Sequence, residues 1–187
     1  DRSHFGSSSL LVSREGEDSA PSIMAELQCS KVVLGSDHAG FGLKGKLAEQ
    51  LRKIDGLEVV DTGCHSAERC DYPDNAKACC EEVLKEPNTL GIVVCGTGLG
   101  VSIAANKVKG IRCALCHDYF TAQSCRTVND ANVMALGEKV IGEEVAKQMV
   151  DVFVRTAFMG AHQQARVEKI TAMETTAVAP CEAAARM

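Results

Sequence analysis

A chain of 187 residues is long enough for one domain with a tail or two, and a domain of about 150 residues buries roughly 70% of its unfolded surface and needs no covalent staples. The net charge is −5 with both signs interspersed, so there is no basic stripe of the kind nucleic acid demands. Aromatic residues make up 4% and Trp is absent, which argues against base-stacking platforms and lectin surfaces and leaves small molecules as the expected partners.

In chain order, residues 1–27 are rich in Ser, Gly and charge without sustained periodicity and read as a disordered leader or expression remnant, with Met24 as the natural start. Leu10, Leu11 and Val12 are too short a run for a membrane span or a signal core. From Lys31 the register changes. Val32, Val33 and Leu34 make a first strand that ends in Gly35-Ser36-Asp37-His38-Ala39-Gly40. A helix follows, with Leu43, Leu47 and Leu51 on one face and Lys44, Lys46, Glu49 and Arg52 on the others.

A second strand is expected over 57–61, a loop over 62–72, and a helix with Pro73 near its start that reaches about residue 85, where Pro87 and Asn88 end it. The β-branched run 91–94 suits a buried parallel strand with Cys95 at its end, and 101–107 has helix-forming composition. Strand four is expected over 111–116, a helix over 119–127, strand five over 132–136 and helices over 142–153 and 163–175, followed by a small-residue tail over 177–187. Five short strands alternating with helices imply a three-layer α/β/α sandwich on a five-stranded parallel sheet, Rossmann-like, with its domain spanning 28–176.

In such folds ligands bind beyond the carboxyl ends of the strands. That edge would carry Asp37 and His38 after strand one, Cys95, Gly96, Thr97, Gly98 and Gly100 after strand three, His117 and Asp118 after strand four, and residues 137–139 after strand five. A glycine-rich turn opening a helix presents backbone N–H groups that favour an anion, so Cys95 reads as a thiolate beside an anion hole. The alternative is a small buried hydrophobe in an ordinary strand-to-helix turn.

The ten cysteines do not read as a disulfide framework: Cys79 and Cys80 are adjacent, Cys95, Cys113 and Cys116 sit in apolar strand-like runs, and no secretory signal precedes them. A reducing compartment fits better. Cys113 and Cys116 form a C-x-x-C on an expected strand, where residues three apart face opposite ways, which disfavours zinc or redox use. With no transmembrane run, no signal peptide and an Ala-Arg-Met ending unlike the peroxisomal Ser-Lys-Leu, a cytoplasmic enzyme is expected, organellar import staying open.

Six segments then carry a resemblance. Gly35-Ser36-Asp37-His38-Ala39-Gly40-Phe41, Asp71-Tyr72-Pro73, Cys95-Gly96-Thr97-Gly98-Leu99-Gly100, Ala104-Ala105-Asn106-Lys107, Asn129-Asp130-Ala131-Asn132-Val133 and Arg166-Val167-Glu168 stand in unbroken order over 31–174. They resemble the signature set of the ribose-5-phosphate isomerase B family, the type-B branch of the ribose, galactose and allose phosphate isomerases. The cysteine at position 95 and the cysteine-rich composition most resemble trypanosomatid members.

The resemblance implies interconversion of D-ribose 5-phosphate and D-ribulose 5-phosphate, a step of the non-oxidative pentose phosphate pathway, through a cis-enediolate and without metal or cofactor. It implies Cys95 as the base and the amides of 96–100 as the hold on the enediolate oxygen, with Thr97 either hydrogen-bonding nearby or capping the helix. Asp37 would handle substrate hydroxyls, Tyr72 would line the sugar, Ser102 and Asn129 would contact substrate, and His38, Lys139 and Arg166 would hold the phosphate.

Three positions depart from the family pattern: Lys139 replaces a more usual Arg, His162 occupies the first of two places that usually hold arginines four apart, and Val128 replaces a ring-opening His. His117 is the candidate replacement, with Asp37 or water as alternatives. Family members are dimers or dimer pairs whose C-terminal segment crosses to the neighbour, so Arg166 and the region near Asn129 would complete a site begun by Cys95 of the other chain. A six-carbon sugar phosphate as substrate, or a non-catalytic phosphate-binding module, are the competing readings.

Overall fold

The computed structural model describes residues 26–175, so the expected leader, apart from Glu26 and Leu27, and the expected tail lie outside the described residues. Its strands are β1 Lys31–Ser36, β2 Glu58–Asp61, β3 Thr89–Cys95, β4 Cys113–Leu115 and β5 Val133–Gly137. Its helices are α1 Phe41–Leu51, α2 Tyr72–Val83, α3 Leu99–Ala105, α4 Tyr119–Asn129, α5 Glu143–Arg155 and α6 Gln164–Met173, with a 3₁₀ turn at Ala161–Gln163.

The strands form one parallel sheet in the order β2-β1-β3-β5-β4, with β3 central. Both faces are covered because the strands alternate two sets of apolar side chains. Val32, Leu34, Ile92, Val94, Met134 and Leu136 meet the apolar faces of α1, α4 and α5. Val33, Val93, Cys95, Val133 and Ala135 meet α2 and α3 through Ala76, Cys79, Cys80, Val83, Val101 and Ala105. This is the expected three-layer, Rossmann-like sandwich. Since α1 and α3 leave for opposite faces, the sheet opens a crevice between the carboxyl ends of β1 and β3, the place where ligands sit in such folds.

Several boundaries differ from expectation for local reasons. Strand four is shorter than 111–116 because two backbone amides at its start are taken by side chains, Arg112 N–H by Asn132 Oδ1 at 2.8 Å and Cys113 N–H by Asn106 Oδ1 at 2.9 Å. Helix α3 begins at Leu99, two residues early, because Gly98 turns the chain into it at φ 79. The last helix begins at Gln164 because Gly160 and Ala161, at φ 66 and φ 47, break the approach to it. Cys113 and Cys116 do face opposite ways, Cys116 toward α4 and Cys113 toward α3.

Lys44 stands off the leucine face of α1, as expected, yet it is 1% exposed and lies beneath the chain that leaves β2. Helix α6 has Val167 as its buried residue and leaves Ile170 and Met173 exposed. Glu174, just beyond it, accepts the Gly110 N–H at 2.9 Å, which sets this helix beside the segment that enters β4. Among the described residues no helix is long and apolar enough to cross a membrane.

Candidate active site

Cys95 ends the central strand and is 5% exposed. Its Sγ accepts a hydrogen bond from Gly98 N–H at 3.1 Å, so the glycine turn folds back onto the sulfur. The loop after β5 is bonded to the same turn: Glu138 N–H donates to Cys95 O at 2.9 Å and Lys139 N–H to Gly96 O at 3.0 Å. Glycine is what permits this closeness. A Cβ at Gly137 would stand 2.6 Å from the Thr97 carbonyl, and one at Gly40 would stand 2.6 Å from that of Val94.

The turn after β1 closes the other side. Asp37 is 7% exposed, and its Oδ1 accepts the amides of Ala39 at 2.9 Å and Gly40 at 3.0 Å, the local bonding that makes Asp a turn residue. His38 is exposed and its Nδ1 faces the backbone of Cys70, 3.3 Å from N and 3.1 Å from O. Burial, and then a hydrogen bond with Cys64, push the Cys70 thiol up. Tyr72 opens α2 and lies over the glycine turn, where a Cβ at Gly100 would meet its ring at 2.8 Å. The Lys139 side chain passes Gly96, where an added Cβ would lie 3.8 Å from its Cδ.

Two predicted residues have hydroxyls already engaged. Thr97 Oγ1 accepts the Leu99 amide at 3.3 Å, the capping alternative, and Ser102 Oγ donates to Leu99 O at 2.8 Å. The expected row of amides is therefore divided, with Gly98 serving the sulfur and Leu99 serving Thr97.

Asp37, His38, Tyr72, Cys95, Gly96, Thr97, Gly98, Gly100, Ser102 and Lys139 thus gather around one crevice. His117 shares their edge but follows β4, with β5 between, so two strand spacings or roughly 10 Å of backbone part it from Cys95. Its N–H donates to Thr121 Oγ1 at 3.4 Å. Asn129, His162 and Arg166 are not brought to the crevice. Helix α4 runs back from the carboxyl edge, so Asn129 at its end lines a cavity of about 210 Å³ at the other end of the sheet, with Arg112, Ala131 and Ile170. The Arg166 guanidinium donates to Gln163 Oε1 at 2.9 Å, and Gln163 Nε2 donates to His162 Nε2 at 3.0 Å.

Two supports of the site were not foreseen. Glu138 Oε2 accepts the Leu43 amide at 2.8 Å and so ties the head of α1 to the loop after β5. Lys44 and Asp61 form a pair with Nζ–Oδ1 of 2.6 Å. Neither has a local motif, since the partners lie 95 and 17 residues apart. Among the described residues no group of three or more His, Cys, Asp or Glu side chains is placed to hold a metal ion.

Residues 32–170 match the Ribose/Galactose Isomerase family. The chain belongs to that family. It is 44% identical over 144 residues to the ribose-5-phosphate isomerase B of Escherichia coli (strain K12), covering 77% of this chain and 96% of that protein. It is 39% identical over 140 residues to the D-erythrulose-4-phosphate isomerase of Pectobacterium atrosepticum, covering 74% and 91%. The fold is shared with the type B ribose 5-phosphate isomerase of Trypanosoma brucei at a TM-score of 0.75 and 43% identity, over 78% of this chain and 99% of that one. This member of the ribose/galactose isomerase family is therefore a sugar phosphate isomerase, and its parallel sandwich is the family fold.

Proposed function

We propose that this isomerase interconverts D-ribose 5-phosphate and D-ribulose 5-phosphate, with Cys95 as the base and with each site completed by a second copy of the chain. The observation that carries the reading is the position of Cys95 Sγ, at the carboxyl end of the central strand and hydrogen-bonded by the Gly98 amide, in the crevice between β1 and β3. Moving a carbonyl from C1 to C2 requires one group to take a proton from C2 of the open-chain aldose and return it to C1. A sulfur that keeps its N–H partner throughout suits that exchange. The amides of Gly96, Thr97 and Gly100, which serve neither the sulfur nor the Thr97 hydroxyl, are available in type for the enediolate oxygen.

Asp37 then orients the sugar hydroxyls, Tyr72 covers the sugar, and His38 and Lys139 receive the phosphate. His117, on the same edge, moves the ring-opening proton in place of the missing residue at Val128. The five-carbon reading is supported by the relatives that bear the name ribose 5-phosphate isomerase on both the sequence and the structure side. The relative named for a four-carbon sugar phosphate supplies the competitor. Assays with four-, five- and six-carbon aldose phosphates test the choice. The five-carbon substrate is expected to show the highest kcat/KM, and a higher value for either of the others overturns it.

The second copy is invoked because Arg166, His162 and Asn129 lie away from the crevice of their own chain, while α6 exposes Ile170 and Met173 beside them. An apolar stripe left open on an end helix, next to displaced binding residues, fits a partner of the same kind.

A further inference from the structure

The loop that leaves β2, residues 62–71, delivers Tyr72 to the site and carries Cys70, whose backbone meets His38. Its first residues are laced to β1 by Thr62 N–H to Leu34 O at 2.9 Å, Ser36 N–H to Gly63 O at 3.0 Å and Cys64 N–H to Ser36 O at 3.0 Å. Beneath this turn lies Lys44, 1% exposed. Its Nζ donates to Asp61 Oδ1 at 2.6 Å and Oδ2 at 2.8 Å, to Gly63 O at 3.0 Å and to Cys64 O at 2.7 Å. The Phe41 ring stands 5.6 Å away on a further side.

An ammonium group has three protons to give, and here four acceptor atoms surround it, so its hydrogen-bonding capacity is filled inside the protein. An ion pair with Asp61 would by itself satisfy the charge. The two carbonyls are additional, and both belong to the residues where the chain swings from β2 into the loop, with Gly63 at φ 134. Lys44 is also one turn into the helix whose head follows the Asp37-His38 turn. A single short helix therefore carries the proposed phosphate turn at one point and, at the next, the latch on the loop that faces it.

We infer that Lys44 is a positioning residue of the substrate site: through the Gly63 and Cys64 carbonyls it sets the loop that backs the His38 imidazole and presents Tyr72. This rests on the functional reading above. It acts on how the sugar phosphate is held and leaves the proton transfer at Cys95, on another loop, to proceed at its own rate.

Three variants test this with steady-state kinetics and thermal melts: Lys44→Met, Asp61→Asn, and the two combined. Lys44→Met leaves the half-buried Asp61 carboxylate without its cation and should lower Tm, while raising KM about fivefold or more with kcat held within about twofold. The double variant removes the stranded charge and should regain Tm while KM stays raised, because the carbonyls still lack their donor. Asp61→Asn keeps Lys44 on both carbonyls, and its amide oxygen can still accept the Gly63 N–H that Asp61 Oδ1 accepts at 3.1 Å, so KM should stay within about twofold of wild type. Recovery of KM together with Tm in the double variant overturns the inference, as does a fall in kcat at unchanged KM. If neither Met variant folds, Asp61→Asn decides alone, a raised KM there counting against the latch. Wild-type turnover of each sugar phosphate reports the substrate reading separately, since the Lys44 inference is read from variant-to-wild-type ratios on whichever substrate is turned over.

Discussion

The two ends of the sheet are built from similar residue types and put them to different uses. At the carboxyl end backbone bonds join the loops, with Glu138 N–H on Cys95 O and Lys139 N–H on Gly96 O, single side chains such as Asp37, Glu138 and Lys44 each hold a separate turn, and the side chains of His38 and Lys139 stand exposed. At the amino end several side chains converge on one short segment. Asp130 sits at φ 46 and its carboxylate is clamped by Arg112 Nη2 at 2.9 Å and Arg126 Nη1 at 2.9 Å, while Arg112 Nε donates to its carbonyl at 2.9 Å. Asn132 bridges the Arg112 amide and the Gly110 carbonyl, each at 2.8 Å. Within the run Asn129-Asp130-Ala131-Asn132, two polar residues are thus architectural and Asn129 is left exposed. The lesson is that a signature segment mixes scaffold and chemistry, and that three of the ten expected binding residues, Asn129, His162 and Arg166, stand away from the sulfur they are meant to serve, Asn129 by about a strand length, roughly 20 Å.

The sharpest way to break this division is at the sulfur. Cys95→Ala deletes one buried atom and none of the backbone bonds that join the loops, so kcat should fall by about a thousandfold or more while the melting temperature stays near wild type. A variant that turns over near the wild-type rate would end the assignment of the base. Next in size is the test of the distant residues. Arg166→Ala should lower kcat/KM by about a hundredfold if its guanidinium reaches the phosphate across a subunit boundary. Co-refolding it with Cys95→Ala should then recover about a quarter of the wild-type activity, since half the random dimers are mixed and each holds one intact site. Activity no greater than the sum of the parents would show that the sites are not shared.

These two ends also explain what could be foreseen. Strand alternation and the position of Cys95 were readable because both are local: a β-branched run, then Cys and three glycines within six residues. The period-two pattern placed Cys113 and Cys116 on opposite faces for the same reason. The burial of Lys44 is not legible in the sequence because its neighbours there are those of an exposed helix face, while its partners Asp61, Gly63 and Cys64 come from the next strand and loop. The β4 start was overextended because an amide that a strand would use was claimed by Asn106 and Asn132, contacts that periodicity does not encode. Asn129 and Arg166 carry family resemblance but no local sign of which end of the sheet they occupy. For Asn129 that follows from the direction in which α4 runs, and for Arg166 from the packing of α6 beside the segment that enters β4.

A smaller effect is expected at the outer strand. His117→Ala should slow turnover of the cyclic aldose phosphate by about tenfold. With the open-chain ketose phosphate the loss should be smaller, because ring opening precedes the step at Cys95. Equal losses measured on single-turnover traces in the two directions would remove His117 from the reaction and hand ring opening to Asp37 or water.

The smallest effect separates the ionic contacts of the two ends. At the carboxyl edge Glu143 is bonded by Lys46 Nζ at 2.6 Å and Lys147 Nζ at 2.7 Å. Hydrogen bonds from Lys147 and then Lys46 hold its carboxyl at about 2, against an ordinary value of 4.5. The folded chain therefore binds fewer protons at this site than the unfolded one between those two values. Whatever stability the contact supplies is present above pH 4.5 and is lost as pH falls toward 2. Both lysines and the glutamate meet solvent, so the contribution is small and screened by salt. Glu143→Gln should lower the urea midpoint slightly at pH 7 in low salt. The gap from wild type should narrow on acidification to pH 3 and close in molar salt. A gap that persists at pH 2, or that widens as the pH falls, would mean that Glu143 supports the fold by packing rather than by charge.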